Sequence, residues 1–151
     1  MSDPLSPPNV GRQQAPSNSG IALAAGNGLS LDAYQAGTAD TAVYPGKGTV
    51  LGLIYCGLKL AGEAGEVAEK IGKALRDDGL DPGGRTDEPA WRALTPERRE
   101  ALKAELGDVL WYVASAAREL DYDLADIART NLAKLADRQA RGTLHGSGDI
   151  R

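Results

Sequence analysis

Glu63 and Glu66 stand three residues apart in GLKLAGEAGEVAEKIGKAL (57–75), and Glu105 and Asp108 repeat that spacing in ELGDVLWYV (105–113). On a helix, positions i and i+3 are neighbours on one face, so each pair presents two carboxylates together. Both pairs border apolar residues, Leu60 and Val67 around the first and Leu106, Val109 and Leu110 around the second. If the two helices return antiparallel, the four acids face one another, and like charges in a low dielectric repel strongly. Hard divalent cations relieve that repulsion, and an all-oxygen carboxylate set suits Mg²⁺ or Mn²⁺. The competing reading is a solvated acidic face, which this spacing fits equally well. A carboxylate di-iron bundle would need Glu-x-x-His on two helices. The one histidine, His145, lies in a glycine-rich tail and reads as a surface residue.

Basic residues follow in NLAKLADRQARG (131–142), where Lys134 and Arg138 share a helical face and Asn131 lies three before Lys134. Together with Arg141 they would complement a helix C-terminus. They would equally serve as a phosphate clamp opposite acids that hold cations, the pairing that phosphoryl chemistry needs. A smaller set sits in AVYPGKG (42–48). Lys47 and the amides around Gly46 and Gly48 are placed to meet a phosphate at a helix start, and Tyr44 to stack on a base. A plain turn with a packed tyrosine explains the same residues.

Four helices would position these groups. Ser30 is an N-cap for the first, which carries Leu31, Tyr34 and Ala42 on one face and ends at Pro45-Gly46. The second runs from Thr49 to about Arg76, with Leu53, Cys56, Leu60, Val67, Ile71 and Leu75 near helical spacing. Its interior glycines each cost about 1 kcal/mol relative to alanine. Gly62 and Gly65 are expected to keep the surface low where another helix or a ligand comes close. Thr95-Pro96-Glu97 starts the third, a capping threonine followed by proline and an acid in the first turn. That helix runs to about Leu120 with Leu102, Leu106, Val109, Leu110 and Val113 as its apolar set, and Asp123 caps the fourth, which carries Leu124, Ile127, Leu132 and Leu135 to about Arg141. Residues 1–28 are rich in Pro, Ser, Asn and Gly and read as a disordered arm, with the helical domain over 29–142 and a glycine-rich tail over 143–151.

Bulk composition agrees with an all-α domain. The 151 residues suffice for one core, phenylalanine is absent, and alanine and leucine carry most of the apolar content. A net charge of −4 argues against a general nucleic-acid binder. The single cysteine, Cys56, cannot form an internal disulfide and reads as a small buried residue. No run approaches the roughly 20 apolar residues of a membrane span, and the N-terminal residues lack a basic stretch leading into an apolar run, so no secretory signal is expected. A reduced cytoplasmic setting is the expectation.

The ordered set GEAGEVAEK, ELGDVLWYV and NLAKLADR resembles the MazG-like all-α nucleoside triphosphate pyrophosphohydrolases. The resemblance spans about Leu31 to Gly142. It implies a four-helix bundle completed by dimerisation or tetramerisation, and Mg²⁺-dependent hydrolysis of a standard or modified NTP or dNTP to the monophosphate and pyrophosphate, in nucleotide-pool cleaning. Mn²⁺ would be a possible substitute. Glu63, Glu66, Glu105 and Asp108 would hold the metal ions, with one of them serving as base towards water. Lys134 and Arg138 would steady the triphosphate, and Asn131 would contact sugar or phosphate. Phosphoribosyl-ATP pyrophosphohydrolase fits the same acids, and a non-catalytic nucleotide- or protein-binding module is the rival of another class. Two departures stand out. The segment 77–97 is longer than the family's usual gap and could shape a base pocket through Trp91, and Gly62 replaces a glutamate that many relatives carry, leaving Glu69 as a substitute or a solvent-facing residue.

Overall fold

The structure is a computed structural model and describes residues 28–80, 83 and 89–144. The expected arm, the end of the tail with His145, and the centre of the 77–97 segment lie outside the described residues. Within them the chain is all helical and holds no strand. The helices are α1 (Leu31–Thr38), α2 (Val50–Asp77), α3 (Ala90–Ala93), α4 (Pro96–Glu119) and α5 (Leu124–Ala140), with a 3₁₀ turn at Ala39–Thr41. The four expected helices are α1, α2, α4 and α5; the short α3 is an addition in the long connection.

Cap chemistry sets the starts. Ser30 Oγ accepts the Ala33 N–H at 3.0 Å, and Thr95 Oγ1 accepts the Arg98 N–H at 3.2 Å. Asp123 occupies the N-cap of α5, yet its side chain makes no capping bond. The first N–H of α5, on Leu124, is instead taken by Gln35 Oε1 at 2.9 Å, while Gln35 Nε2 donates to the Tyr122 carbonyl at 3.0 Å. A buried glutamine on α1 therefore anchors the α4–α5 corner.

α1 is shorter than its sequence pattern indicates. Arg118 Nη2 donates to the Gln35 carbonyl and to Thr38 Oγ1, each at 2.6 Å, and the Thr38 hydroxyl donates to the same carbonyl. With that acceptor occupied, the Ala39 N–H turns to Ala36 O and the helix tightens to 3₁₀. Trp111 Nε1 then pins the turn by donating to Thr41 Oγ1 at 2.8 Å. Ala42 is buried as expected, but in extended chain rather than on the helix.

α2 and α4 form the antiparallel centre. At one end Asp78 pairs with Arg98, in the middle Lys70 reaches Glu105, and at the other end the Gly48 N–H donates to Glu119 Oε2. The helices meet on small residues: Gly52, Cys56 and Ala74 of α2 and Ala114, Ser115 and Ala117 of α4 are buried. Ala42, Tyr44 and Cys56 form the core cluster, with Tyr55, Trp111, Tyr112 and Ala116 packed against it. Several aliphatics expected in the core remain exposed, among them Ile71, Leu75, Leu106 and Leu132. α2 and α4 approach along their small-residue faces, and among the described residues Ile71, Leu75 and Leu106 on those two helices stay exposed.

Candidate active site

Midway along the α2–α4 pair, carboxylate oxygens of Glu63, Glu105 and Asp108 all lie within 4.8 Å of one another. Glu63 is buried, Glu105 half-buried and Asp108 exposed. Two unit charges about 4 Å apart repel by roughly 4 kcal/mol at an effective dielectric of 20, a repulsion that nearby cations relieve. Lysines supply part of that charge: Lys59 Nζ is 3.0 Å from Glu63 Oε1, and Lys70 Nζ is 3.3 Å from Glu105 Oε1. The Glu63 hydrogen bond in turn raises the Lys59 ammonium above its ordinary value. Glu66 is exposed and stands outside the group of three. All donors here are carboxylate oxygens on two rigid helices, a set that fits a hard divalent cation rather than a soft one.

A cavity of about 500 Å³ opens beside the acids, lined by Glu63 and Asp108 and by Tyr44, Tyr55, Trp111 and Tyr112. Tyr44 and Tyr55 stack with centroids 5.8 Å apart and planes 11° from parallel. Trp111 meets Tyr44 and Tyr112 edge-on, at 6.0 and 4.8 Å. The Tyr44 hydroxyl donates to Glu119 Oε1, which fixes its ring as a wall. Burial and then the negative charge of Asp108 raise the Tyr34 phenol. The site thus joins an acidic floor to an aromatic wall.

The profile of the MazG nucleotide pyrophosphohydrolase domain matches residues 56–142, which contain all three clustered acids. The chain belongs to the MazG family. It is also 45% identical over 127 residues to the gene 37 protein of Mycobacterium phage L5, covering 82% of this chain and 100% of that protein. No solved structure matches it.

In this MazG domain Asn131 and Lys134 line a different cavity, of about 560 Å³, with Tyr122, Asp126, Ile127 and Thr130. The two cavities share no lining residue. Arg138 is half-buried on α5, and its carbonyl accepts the Thr143 N–H at 2.9 Å. Lys47 donates to the Ala39 carbonyl at 3.2 Å and so closes the 3₁₀ turn. Glu69 faces solvent and pairs with Lys73 at 2.7 Å. Trp91 is exposed, stacks against Arg92, and is absent from the aromatic cavity. A Cβ on Gly62 or Gly65 would find no atom within 4 Å among the described residues, so no described helix of this chain makes the expected close approach.

The sequence reading of this MazG domain overlooked Tyr55, Trp111, Tyr112, Lys59 and Lys70. A signal existed for most of them. Lys59 lies four residues before Glu63, and Trp111 and Tyr112 lie three and four after Asp108, which puts each on the face of an acid already singled out.

Proposed function

We propose that this MazG domain hydrolyses a nucleoside triphosphate, standard or modified, to the monophosphate and pyrophosphate. Mg²⁺ is the cofactor in this reading, Mn²⁺ its substitute, and nucleotide-pool cleaning in the cytoplasm the role. The observation that carries it is the shared cavity: Glu63 and Asp108 stand on the same wall system as four aromatic rings. A polyphosphate seeks the cation-holding floor, and a nucleobase seeks a ring to stack on.

The divalent ion would supply charge neutralisation on the phosphates and ease ionisation of the attacking water. Everything else falls to the chain. Glu63, Glu105 and Asp108 hold the cation, and Glu66, one turn along α2, joins them by a change of rotamer. A water oxygen forms the new bond to phosphorus, the bridging oxygen of the α–β anhydride leaves with its other phosphorus, and a site carboxylate takes the proton. Tyr44 and Trp111 flank the base. Lys134 and Arg138 steady the triphosphate, Asn131 contacts sugar or phosphate, and Lys47 meets a phosphate once it leaves the Ala39 carbonyl.

α5 has only its first residue fully buried, and it exposes Leu132 and Leu135. Leu51, Ile54 and Leu58 of α2 are exposed as well. These surfaces support a homodimer or homotetramer in which α5 of one copy faces the acids of another.

The test is pyrophosphate release from a panel of NTPs, dNTPs, modified nucleotides and phosphoribosyl-ATP, with Mg²⁺, Mn²⁺ or EDTA. Metal-dependent release that Glu63→Gln and Glu66→Gln abolish supports the proposal and names the substrate. Nucleotide binding without pyrophosphate from any of them would reject it in favour of a binding module.

A further inference from the structure

Two of the three clustered acids already carry a lysine. The Glu63 and Glu105 side chains are only 10% and 13% exposed, whereas the Lys59 and Lys70 side chains that cover them are 43% and 27% exposed. The ammonium groups thus sit on the solvent side of nearly buried carboxylates. Lys59 Nζ also lies 5.8 Å from the centroid of the Tyr112 ring, on the cavity wall. Asp108 has no such partner among the described residues. One oxygen of each glutamate is therefore already engaged by an ammonium beside the position a divalent cation would take.

An ammonium and a divalent ion cannot occupy the same lone pair, and two cations a few ångströms apart repel. Lysine suits an exchangeable role because it is a compact charge on a flexible four-carbon stem. The rest of the α2 lysines differ: Lys73 pairs with the solvent-facing Glu69, away from the cluster.

We propose that Lys59 and Lys70 are stand-in cations. They hold Glu63 and Glu105 together before the metal arrives, release those oxygens when it binds, and then turn to the anionic polyphosphate. The exchange rests on the acids being the metal site, and its last step on the pyrophosphohydrolase reading above. In this role the ammonium groups offset the mutual repulsion of the acids until a divalent ion takes over. It also leaves the site with two cations at the entrance at the moment a triphosphate is drawn in.

The experiment is acetylation footprinting of the full wild-type chain, read by mass spectrometry, without metal, with saturating Mn²⁺, and with Mn²⁺ plus inorganic tripolyphosphate. Calorimetry on the same samples records Mn²⁺ uptake. The expected result is a several-fold rise in labelling of Lys59 and Lys70 with Mn²⁺, no change at Lys73, and a fall at both sites when tripolyphosphate is added. Lys59→Met with Lys70→Met should tighten Mn²⁺ binding several-fold, and Lys73→Met, which removes the same charge nearby, should not. Mn²⁺ uptake without increased labelling overturns the proposal, as does an equal rise at Lys73 or the absence of uptake. Pyrophosphate assays on the same samples separate the two readings. Turnover with unchanged labelling leaves the enzyme reading standing alone, and unmasking without turnover on any nucleotide does the opposite.

Discussion

Gly52 passes the Glu119 carboxylate with no room for a side chain. A Cβ on Gly52 would lie 2.8 Å from Glu119 Oε2 and 2.5 Å from the Gly46 carbonyl oxygen. The same carboxylate accepts the Tyr44 hydroxyl and the Gly48 N–H, so one acid at the end of α4 sets both the start of α2 and the tilt of an aromatic wall. Gly52→Ala should destabilise by about 1–3 kcal/mol, since the backbone on one side cannot yield. Urea titrations would measure it. A loss no greater than that of an exposed glycine would mean the contact relaxes freely.

The glycines of the acidic stretch should behave in the opposite way. Gly62 and Gly65 face open space, so alanine at either is expected to stabilise by about 0.5–1 kcal/mol through helix propensity alone. Thermal melts of the two variants check this. Destabilisation would reveal that an assembled oligomer covers that surface.

Metal should stabilise the folded chain, because the triad exists only in the fold. At a Mn²⁺ concentration about 100 times its Kd, the gain should be about 2.7 kcal/mol and should vanish on adding EDTA. Glu63→Gln and Asp108→Asn should each remove most of that gain and lower turnover on the order of 100-fold. Glu66→Gln is the informative variant. If it weakens Mn²⁺ binding, the exposed carboxylate swings in; if the gain is unchanged, the ion is held by the clustered three alone.

Alkaline pH should destabilise the fold. Burial, then the hydrogen bond to Glu119, holds the Tyr44 phenol well above its ordinary value of 10.0, and burial raises the Cys56 thiol above 9.0. Both groups keep their protons more tightly when folded than when unfolded. Their contribution is therefore complete below about pH 9 and declines as pH rises through the raised values. Urea midpoints between about pH 8 and 11 should fall, and Tyr44→Phe should flatten the fall. An unchanged slope in that variant would assign the loss to other groups.

Local chemistry was legible in the sequence, and long-range chemistry was not. Thr95 and Ser30 announce helix starts because a cap is settled within three residues, and both caps form. The spacing of Glu63, Glu105 and Asp108 pointed to the cluster because helix periodicity and one antiparallel return are enough to bring them together. The early end of α1 could not be read locally, since the Arg118 guanidinium that causes it lies about 80 residues away. Trp91 drew attention for its place in the long connection, yet Trp111 lines the cavity, because α4 carries it beside Asp108. Ile71 and Leu106 have helical spacing but stay exposed among the described residues. Periodicity says that a face is apolar and nothing about what covers it.

The division between the two tryptophans gives the molecule an optical consequence. Trp111 sits in the cavity within 6.0 Å of Tyr44 and 4.8 Å of Tyr112, close enough for both phenols to pass excitation to its indole. Trp91 lies out in solvent beside Arg92. One emitter looks into the site and the other watches the bulk, so the chain carries its own internal reference lamp. Ligand entry is then read as a change in the ratio of blue to red emission, with no label attached.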